Sequence, residues 1–295
     1  MPLLVTQNIN EHNFICIIDD AEQCIEPLTL LPILFGINRL ILVGNDSLVK
    51  PIVKNQISKD NDLNISLIRR LNLWLKKSKN VEDNSSNISR ITLDRQYRTH
   101  SSICSFPSTF FYGRTIKNTT STFENYPLQR YLLLNHKFIH DNVEDINMNE
   151  AVLIQNLIHI IVSNVQNKII KIALSNENQY KIIKGLIKNN LKNVNYESIS
   201  VQFVLTSVLY NTECDILILS TASSKIIKDD HLLCTIMTRP RHSLFLCGNF
   251  DYLKSHYTWK KLLEDAYQRK VVKYVNENII SNLKDMSNLI KCHKK

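Results

Sequence analysis

Two adjacent carboxylates, Asp19 and Asp20, end the apolar run FICII at residues 14–18. At the carboxyl edge of a parallel strand, such a pair can hold a magnesium ion and polarise a water, as nucleotide hydrolysis requires. Acidic residues after a strand also make turns or cap the next helix, and the pair alone leaves both readings open. Cradling a triphosphate through backbone N–H groups needs a glycine-rich loop. The chain has 5 glycines, and none of them makes G-x-x-x-x-G-K-S/T or G-x-G-x-x-G, so no such cradle lies within these 295 residues. The 7 cysteines (Cys16, Cys24, Cys104, Cys214, Cys234, Cys247 and Cys292) stand singly, without a C-x-x-C pair. That argues against a zinc site or a disulfide framework and leaves them as small, buried, reduced side chains.

Short β-branched and aliphatic runs would position these groups: FICII at 14–18, RLILV at 39–43, IIKIAL at 169–174, SVQFVLT at 200–206, ILILS at 216–220 and SLFLC at 243–247. They read as buried parallel strands. Helical patterns alternate with them, at 64–77 (Ile65, Leu67, Ile68, Leu71 and Leu75 on one face), 148–166 and 177–193. The class is therefore parallel α/β. The polar segment 76–90 predicts a surface loop, 117–127 is the softest boundary between two α/β units, and the last 45 residues look helical.

A chain of this length that is 44% hydrophobic buries a substantial core and divides most naturally into two units. Its formal net charge of +9 suits a polyanionic partner through phosphate contacts and counterion release. No run of about 18 apolar residues occurs, and the amino terminus lacks a basic region followed by an apolar one, which predicts an intracellular protein of the nucleus or cytoplasm. The terminal KCHKK is too short to decide between the two.

A series of short segments carries a resemblance. IDDAEQCIEP looks like the D-E-A-x-Q Walker B box of superfamily 1 helicases, and RLILVGN is similar to their motif III, L-V-G-D-x-x-Q-L-P-P. SLIRRL (66–71) is similar to their S-L-F-x-R-L helix, and LDRQYRTHSSICSFPSTFFY (93–112) to L-x-x-Q-Y-R-M-H-P-x-I-x-x-F-P-S-x-x-F-Y. Asn147, Glu150 and Ala151 fit an N-x-x-E-A element, Gln179 fits the P-Y-x-A-Q position, ECDILILST (213–221) fits the end of motif V, and MTRPRHSLFLCGN (237–249) fits motif VI. Order and strand context agree over roughly residues 14–250, so the chain resembles the carboxyl-terminal part of a superfamily 1 helicase of the senataxin and nonsense-mediated-decay branch.

By that resemblance Asp19 binds magnesium, and Asp20 stands where the family has the glutamate that activates water. Tyr97 stacks on the nucleotide base, while Arg98 and Arg239 are the two arginines that contact the γ-phosphate, a task suited to a permanently charged planar fork. Gln23 and Glu213 are further nucleotide contacts, and the implied cofactors are ATP and magnesium. Several positions depart from the pattern. Motif III has Asn45 for aspartate, Leu48 for the phosphate-sensing glutamine, and Val49, Lys50 and Pro51 for L-P-P. Motif V, usually S-F-Q-G-x-E, reads Val208, Leu209, Tyr210, Asn211, Thr212, Glu213; motif VI has Pro240 for alanine and Cys234 for asparagine. The family's P-loop would lie before residue 1. Aliphatic sheet positions persist while polar turnover positions are altered.

These readings predict two RecA-like units, the back portion of a first at 1–118 and a nearly complete second at 119–255, followed by a helical tail at 256–295. The expected function is that of a truncated or degenerate helicase of RNA or DNA metabolism that binds single-stranded RNA, DNA or a protein partner, with no membrane involvement. An active ATP-dependent helicase whose P-loop portion lies outside this chain is the alternative.

Overall fold

In the larger sheet the central apolar runs become parallel strands covered on both faces, whereas the runs FICII and RLILV, expected to be buried, lie in a small mixed sheet that leaves one face open, with Ile15, Ile17, Ile41 and Val43 exposed. The computed structural model describes residues 4–6, 14–46, 48–78, 88–119, 126–139, 141, 146–190, 199–206, 209, 212–222 and 228–292. Much of the expected 76–90 loop and of the 117–127 stretch lies outside these residues, as do Val208, Tyr210, Asn211 and the final residues of KCHKK. The chain forms two compact units, Met1–Leu93 and Asp94–Lys295. Residues 94–118, grouped with the first unit from the sequence, lie in the second.

In the first unit, β1 (Leu4–Thr6), β2 (Phe14–Ile18) and β3 (Ile37–Leu42) form a sheet in that order, β2 pairing antiparallel with β1 and parallel with β3. Helices α1 (Glu26–Leu30), α2 (Gln56–Asp60) and α3 (Leu67–Ser78) accompany it. Cys16, Ile18 and Ala21 make its small core with Leu40, Leu42 and Ile68. The SLIRRL segment opens α3, from which Arg69 Nη1 donates to the Asp46 carbonyl at 2.5 Å and Asn72 Nδ2 donates to the Asp46 carboxylate. The helix thus holds the loop that follows β3.

The second unit begins with β4 (Arg95–Gln96), α4 (Ser101–Phe110) and β5 (Lys117–Asn118), β4 and β5 pairing parallel. It continues with β6 (Tyr131–Asn135), α5 (Met148–Val162), β7 (Lys168–Leu174), α6 (Glu177–Asn190), β8 (Ile199–Leu205), β9 (Cys214–Ser220), α7 (Asp230–Met237) and β10 (Pro240–Gly248). Helices α8 (Phe250–Leu253) and α9 (Tyr257–Gln268), strand β11 (Val272–Tyr274) and helices α10 (Glu277–Ser281) and α11 (Leu283–Ile290) complete it. The six-stranded sheet runs β11-β6-β10-β9-β7-β8 with every pairing parallel. On one face Ile170, Ile172, Ile216, Ile218 and Phe245 pack against α5 residues such as Leu157 and Ile161. On the other, Leu217, Leu219, Leu244 and Leu246 meet Ile103 and Phe106 of α4, Leu233 of α7 and Trp259 of α9.

The expected helical tail contains a strand. β11 pairs with β6 through Val272↔Leu133 and caps the sheet edge, so the last residues belong to the sheet as well as to the helical layer.

A buried polar knot joins the carboxyl ends of β6 and β9 to the start of α5. Asn147 caps α5 by accepting the Glu150 N–H (2.8 Å), and its own N–H donates to Gln179 Oε1 (2.9 Å). Glu150 Oε2 lies 2.7 Å from His136 Nε2, while its Oε1 accepts from Ser220 Oγ (2.5 Å) and the Ala222 N–H (3.2 Å). The N-x-x-E-A element and Gln179 are thereby placed as structural ties.

Candidate functional site

Gln96 shapes the turn after β4. Its Oε1 accepts the N–H groups of Arg98 (3.0 Å) and Thr99 (2.8 Å), and its Nε2 donates to the Thr99 carbonyl (2.7 Å). This presents Tyr97, 73% exposed, and Arg98 on the surface. The His100 N–H donates to the Arg241 carbonyl at 3.0 Å, tying the turn to the first residues of β10. Pro240 opens β10 opposite Cys214, where a strand tolerates a residue without an N–H, and a register shift between Pro240 and Ser243 follows.

Glu213, which precedes β9, therefore lies beside Arg241 as the strands begin. Its Oε1 accepts from Arg98 Nε at 2.8 Å and Nη2 at 2.6 Å, and its Oε2 from Arg241 Nη2 at 2.6 Å. Arg98 and Glu213 are 115 residues apart in sequence. Arg241, above all, and Arg98 hold the Glu213 carboxyl below the usual carboxylate range. Arg239 leaves the end of α7, its Nε donating to the Thr235 carbonyl at 3.1 Å. Burial, and then the charge of Arg98, lower the pKa of its guanidinium.

Gln96, Tyr97, Arg98, Glu213, Arg239 and Arg241 line one open pocket of about 1300 Å³. It holds three guanidinium groups, Arg98, Arg239 and Arg241, around the Glu213 carboxylate, a surplus of two positive charges. The pocket continues past Tyr126 to Lys168, Asp215 and His242. There Lys168 Nζ is 3.0 Å and Asp215 Oδ1 3.3 Å from His242 Nε2. Burial and the Lys168 charge lower the His242 pKa to about 4, keeping it neutral at physiological pH. Cys234 is buried beside the wall, its Sγ 3.7 Å from the Tyr112 hydroxyl, and burial pushes its thiol up to about 12. It has no thiolate character at neutral pH.

In the first unit, Asp19, Asp20 and Gln23 are exposed at the end of β2. The Asp20 N–H donates to Asp19 Oδ1 at 3.0 Å, and Asp20 is left-handed (φ 52°), a conformation that short polar side chains tolerate best. Magnesium is commonly held by one or two carboxylates plus substrate phosphates, and Asp19 with Asp20 fits that donor set. Among the described residues no group of three or more His, Cys, Asp and Glu side chains could hold a metal by itself. Asn45 and Leu48 are half-buried, and the Asn45 N–H is a hydrogen-bond donor to the Glu22 carboxylate.

Of the residues singled out from the sequence, Tyr97, Arg98, Glu213 and Arg239 share one pocket in the second unit, and Asp19, Asp20 and Gln23 share one turn in the first. Two charged residues escaped sequence reasoning. Arg241 differs in the sequence from any surface arginine only by lying two residues after Arg239. Glu22 occupies the variable position of the acidic box yet is 4% exposed, and burial raises its pKa.

A family model described as AAA domain matches residues 66–251, and a second with the same description matches residues 5–56. Human probable helicase senataxin is 27% identical over 286 residues, covering 90% of this chain and 10% of that protein. Helicase sen1 of Schizosaccharomyces pombe is 26% identical, with 87% of this chain and 16% of that protein covered. The Regulator of nonsense transcripts 1 homolog of Arabidopsis thaliana is 26% identical, over 84% of this chain and 20% of that protein. The chain thus spans a tenth to a fifth of the length of these relatives.

Proposed function

Because this chain belongs to the AAA-domain family, in the senataxin and nonsense-mediated-decay branch of superfamily 1 helicases, we propose that it contacts ATP phosphates through the arginine pocket of its second unit and that these 295 residues by themselves, which hold no glycine-rich phosphate loop, do not turn it over. The observation that carries this reading is the gathering of Tyr97, Arg98, Glu213 and Arg239 around one open, positively charged pocket. Arg98 and Arg239 bind the terminal phosphates, where guanidinium forks match phosphate oxygens. Tyr97 offers an exposed ring for the base. In the first unit, Asp19, with Gln23 on the same turn, is the magnesium ligand of this reading.

Even with a phosphate loop supplied, turnover would be slow, because polar groups are altered. Asp20 is one methylene shorter than the family's glutamate, and displacing a catalytic group by about 1 Å can cost on the order of 100-fold. Leu48 cannot orient water or sense a phosphate. The +9 charge supports binding of single-stranded RNA or DNA as the remaining work of such a protein, within the cell. Among the described residues no helix is long and apolar enough to cross a membrane.

The retention of Asp19, Tyr97, Arg98 and Arg239 favours a second reading, an ATP-dependent helicase with full turnover. Calorimetric titration of magnesium-ATP and steady-state phosphate release discriminate between them. Arg98→Ala and Arg239→Ala should each weaken binding about tenfold or more, the value of a charged hydrogen bond, while phosphate release stays at background. Affinity unchanged in both variants would remove the pocket assignment. RNA-stimulated turnover of about 1 s⁻¹ or faster that Asp19→Ala abolishes would establish the second reading.

A further inference from the structure

Both oxygens of Glu213 are engaged by arginine, Oε1 by the Nε and Nη2 of Arg98 and Oε2 by Nη2 of Arg241. A carboxylate held this way presents to two guanidinium forks what a phosphate would present, with less charge and one oxygen fewer. The three side chains are accessible, at 37% for Arg98, 40% for Glu213 and 54% for Arg241, so ligand can reach the cluster without opening the core. Arg241 is anchored at its backbone, where its carbonyl accepts the His100 N–H, while its side chain extends into the same pocket as Arg98 and Arg239.

We propose that Arg241 is a third phosphate-binding cation of this pocket and that Glu213 is its resident anion, a carboxylate that a polyphosphate displaces from Arg98 and Arg241. The inference rests on the phosphate-binding reading above and reverses the role of Glu213 within it, from a nucleotide contact to a competitor. Glu213 and Arg241 each strengthen the charged form of the other, so the latch is ionised at neutral pH. Solvent-exposed ion pairs are weak, which makes displacement by a more highly charged anion easy. A polyphosphate keeps two or more charges for the three cations that Glu213 meets with one. The alternative role for this carboxylate, holding the two arginines in a receptive geometry, predicts the opposite sign when it is neutralised.

Calorimetric titration of inorganic tripolyphosphate into the full chain separates these roles. Glu213→Gln should bind roughly tenfold tighter than the unmodified chain and Arg241→Ala roughly tenfold weaker. Arg241→Lys, which keeps the charge without the fork, should fall between Arg241→Ala and the unmodified chain. In an Arg98→Ala, Arg241→Ala background, Glu213→Gln should bring no gain, because nothing remains for the carboxylate to occupy. Unchanged or weaker binding by Glu213→Gln, alongside loss of binding in Arg98→Ala, overturns the latch and leaves the phosphate pocket standing. A gain of the same size in the double-alanine background also overturns it, since the effect is then one of net charge alone. Unchanged affinity in Arg241→Ala overturns the assignment of that residue. Absence of binding in every variant overturns both this inference and the reading on which it rests.

Discussion

Replacing Gly44 by alanine would place a methyl carbon 1.8 Å from Glu22 Oε2, 3.0 Å from its Cδ and 3.2 Å from the Ala21 backbone nitrogen. The first separation is close to a covalent one, so the carboxylate must leave. Glu22 is 4% exposed and its Oε2 has no hydrogen-bond partner among the described residues, so the backbone N–H groups of Glu22 and Asn45 engage the carboxylate through its other oxygen. Hydrogen bonds to a charged group contribute about 1.5–3 kcal/mol each, and both would be lost. Part of that loss is offset because the freed carboxylate regains water and escapes the burial that raises its pKa. The Ala21 N–H also bonds the Val43 carbonyl, and the Val43 N–H bonds Ile18, both at 2.9 Å, so the shift strains the link between the acidic turn and β3. The net cost should be about 2–3 kcal/mol, which corresponds to roughly 30- to 150-fold faster amide exchange where opening governs exchange. Hydrogen exchange read by mass spectrometry on peptides covering 14–23 and 37–45 measures it directly. In Glu22→Ala, Gly44→Ala the space is empty, and much of the protection lost in Gly44→Ala should return, a coupling of at least about 1 kcal/mol. Wild-type exchange in Gly44→Ala, or a double variant no better protected than the single one, would refute this account of the contact.

Two further outcomes are expected. The folded pKa of His242 is depressed to about 4 from an ordinary 6.5, so the unfolded chain binds the extra proton between these values, and stability of the second unit should rise with pH from about 4 to 6.5 and level off above. The rise should be on the order of 2–3 kcal/mol; denaturant unfolding followed by Trp259 in a Trp74→Phe background tests it, and an identical slope in His242→Gln would assign the effect elsewhere. Single-stranded RNA should bind with an affinity that falls steeply with salt, the logarithmic slope being about −0.7 for each phosphate contacted. An anisotropy titration with no binding at low salt, or with binding indifferent to salt, would point to a protein partner instead.

What the sequence by itself determined is periodic or ordered. ILILS and SLFLC read as buried parallel strands because an unbroken apolar run between turns leaves few other solutions, and they appear within β9 and β10; FICII forms β2 as a strand, but with Ile15 and Ile17 exposed. The order of the short motifs pointed to the helicase family and singled out Tyr97, Arg98, Glu213 and Arg239 before any geometry was known. Partnership is another matter. That Glu213 meets Arg98 across 115 residues, and Arg241 across 28, depends on β9 and β10 being neighbours that start at the same level, a consequence of sheet order and register rather than of local pattern. The tail looked helical because helices dominate its composition, whereas β11 is a strand only because the β6 edge offers its N–H and C=O groups a partner. Glu22 and Gly44 illustrate the same limit at short range. A carboxylate after an acidic pair reads as a solvated charge, and tertiary structure alone buries it, since the space that receives it exists only because Gly44, two residues after β3, has no Cβ.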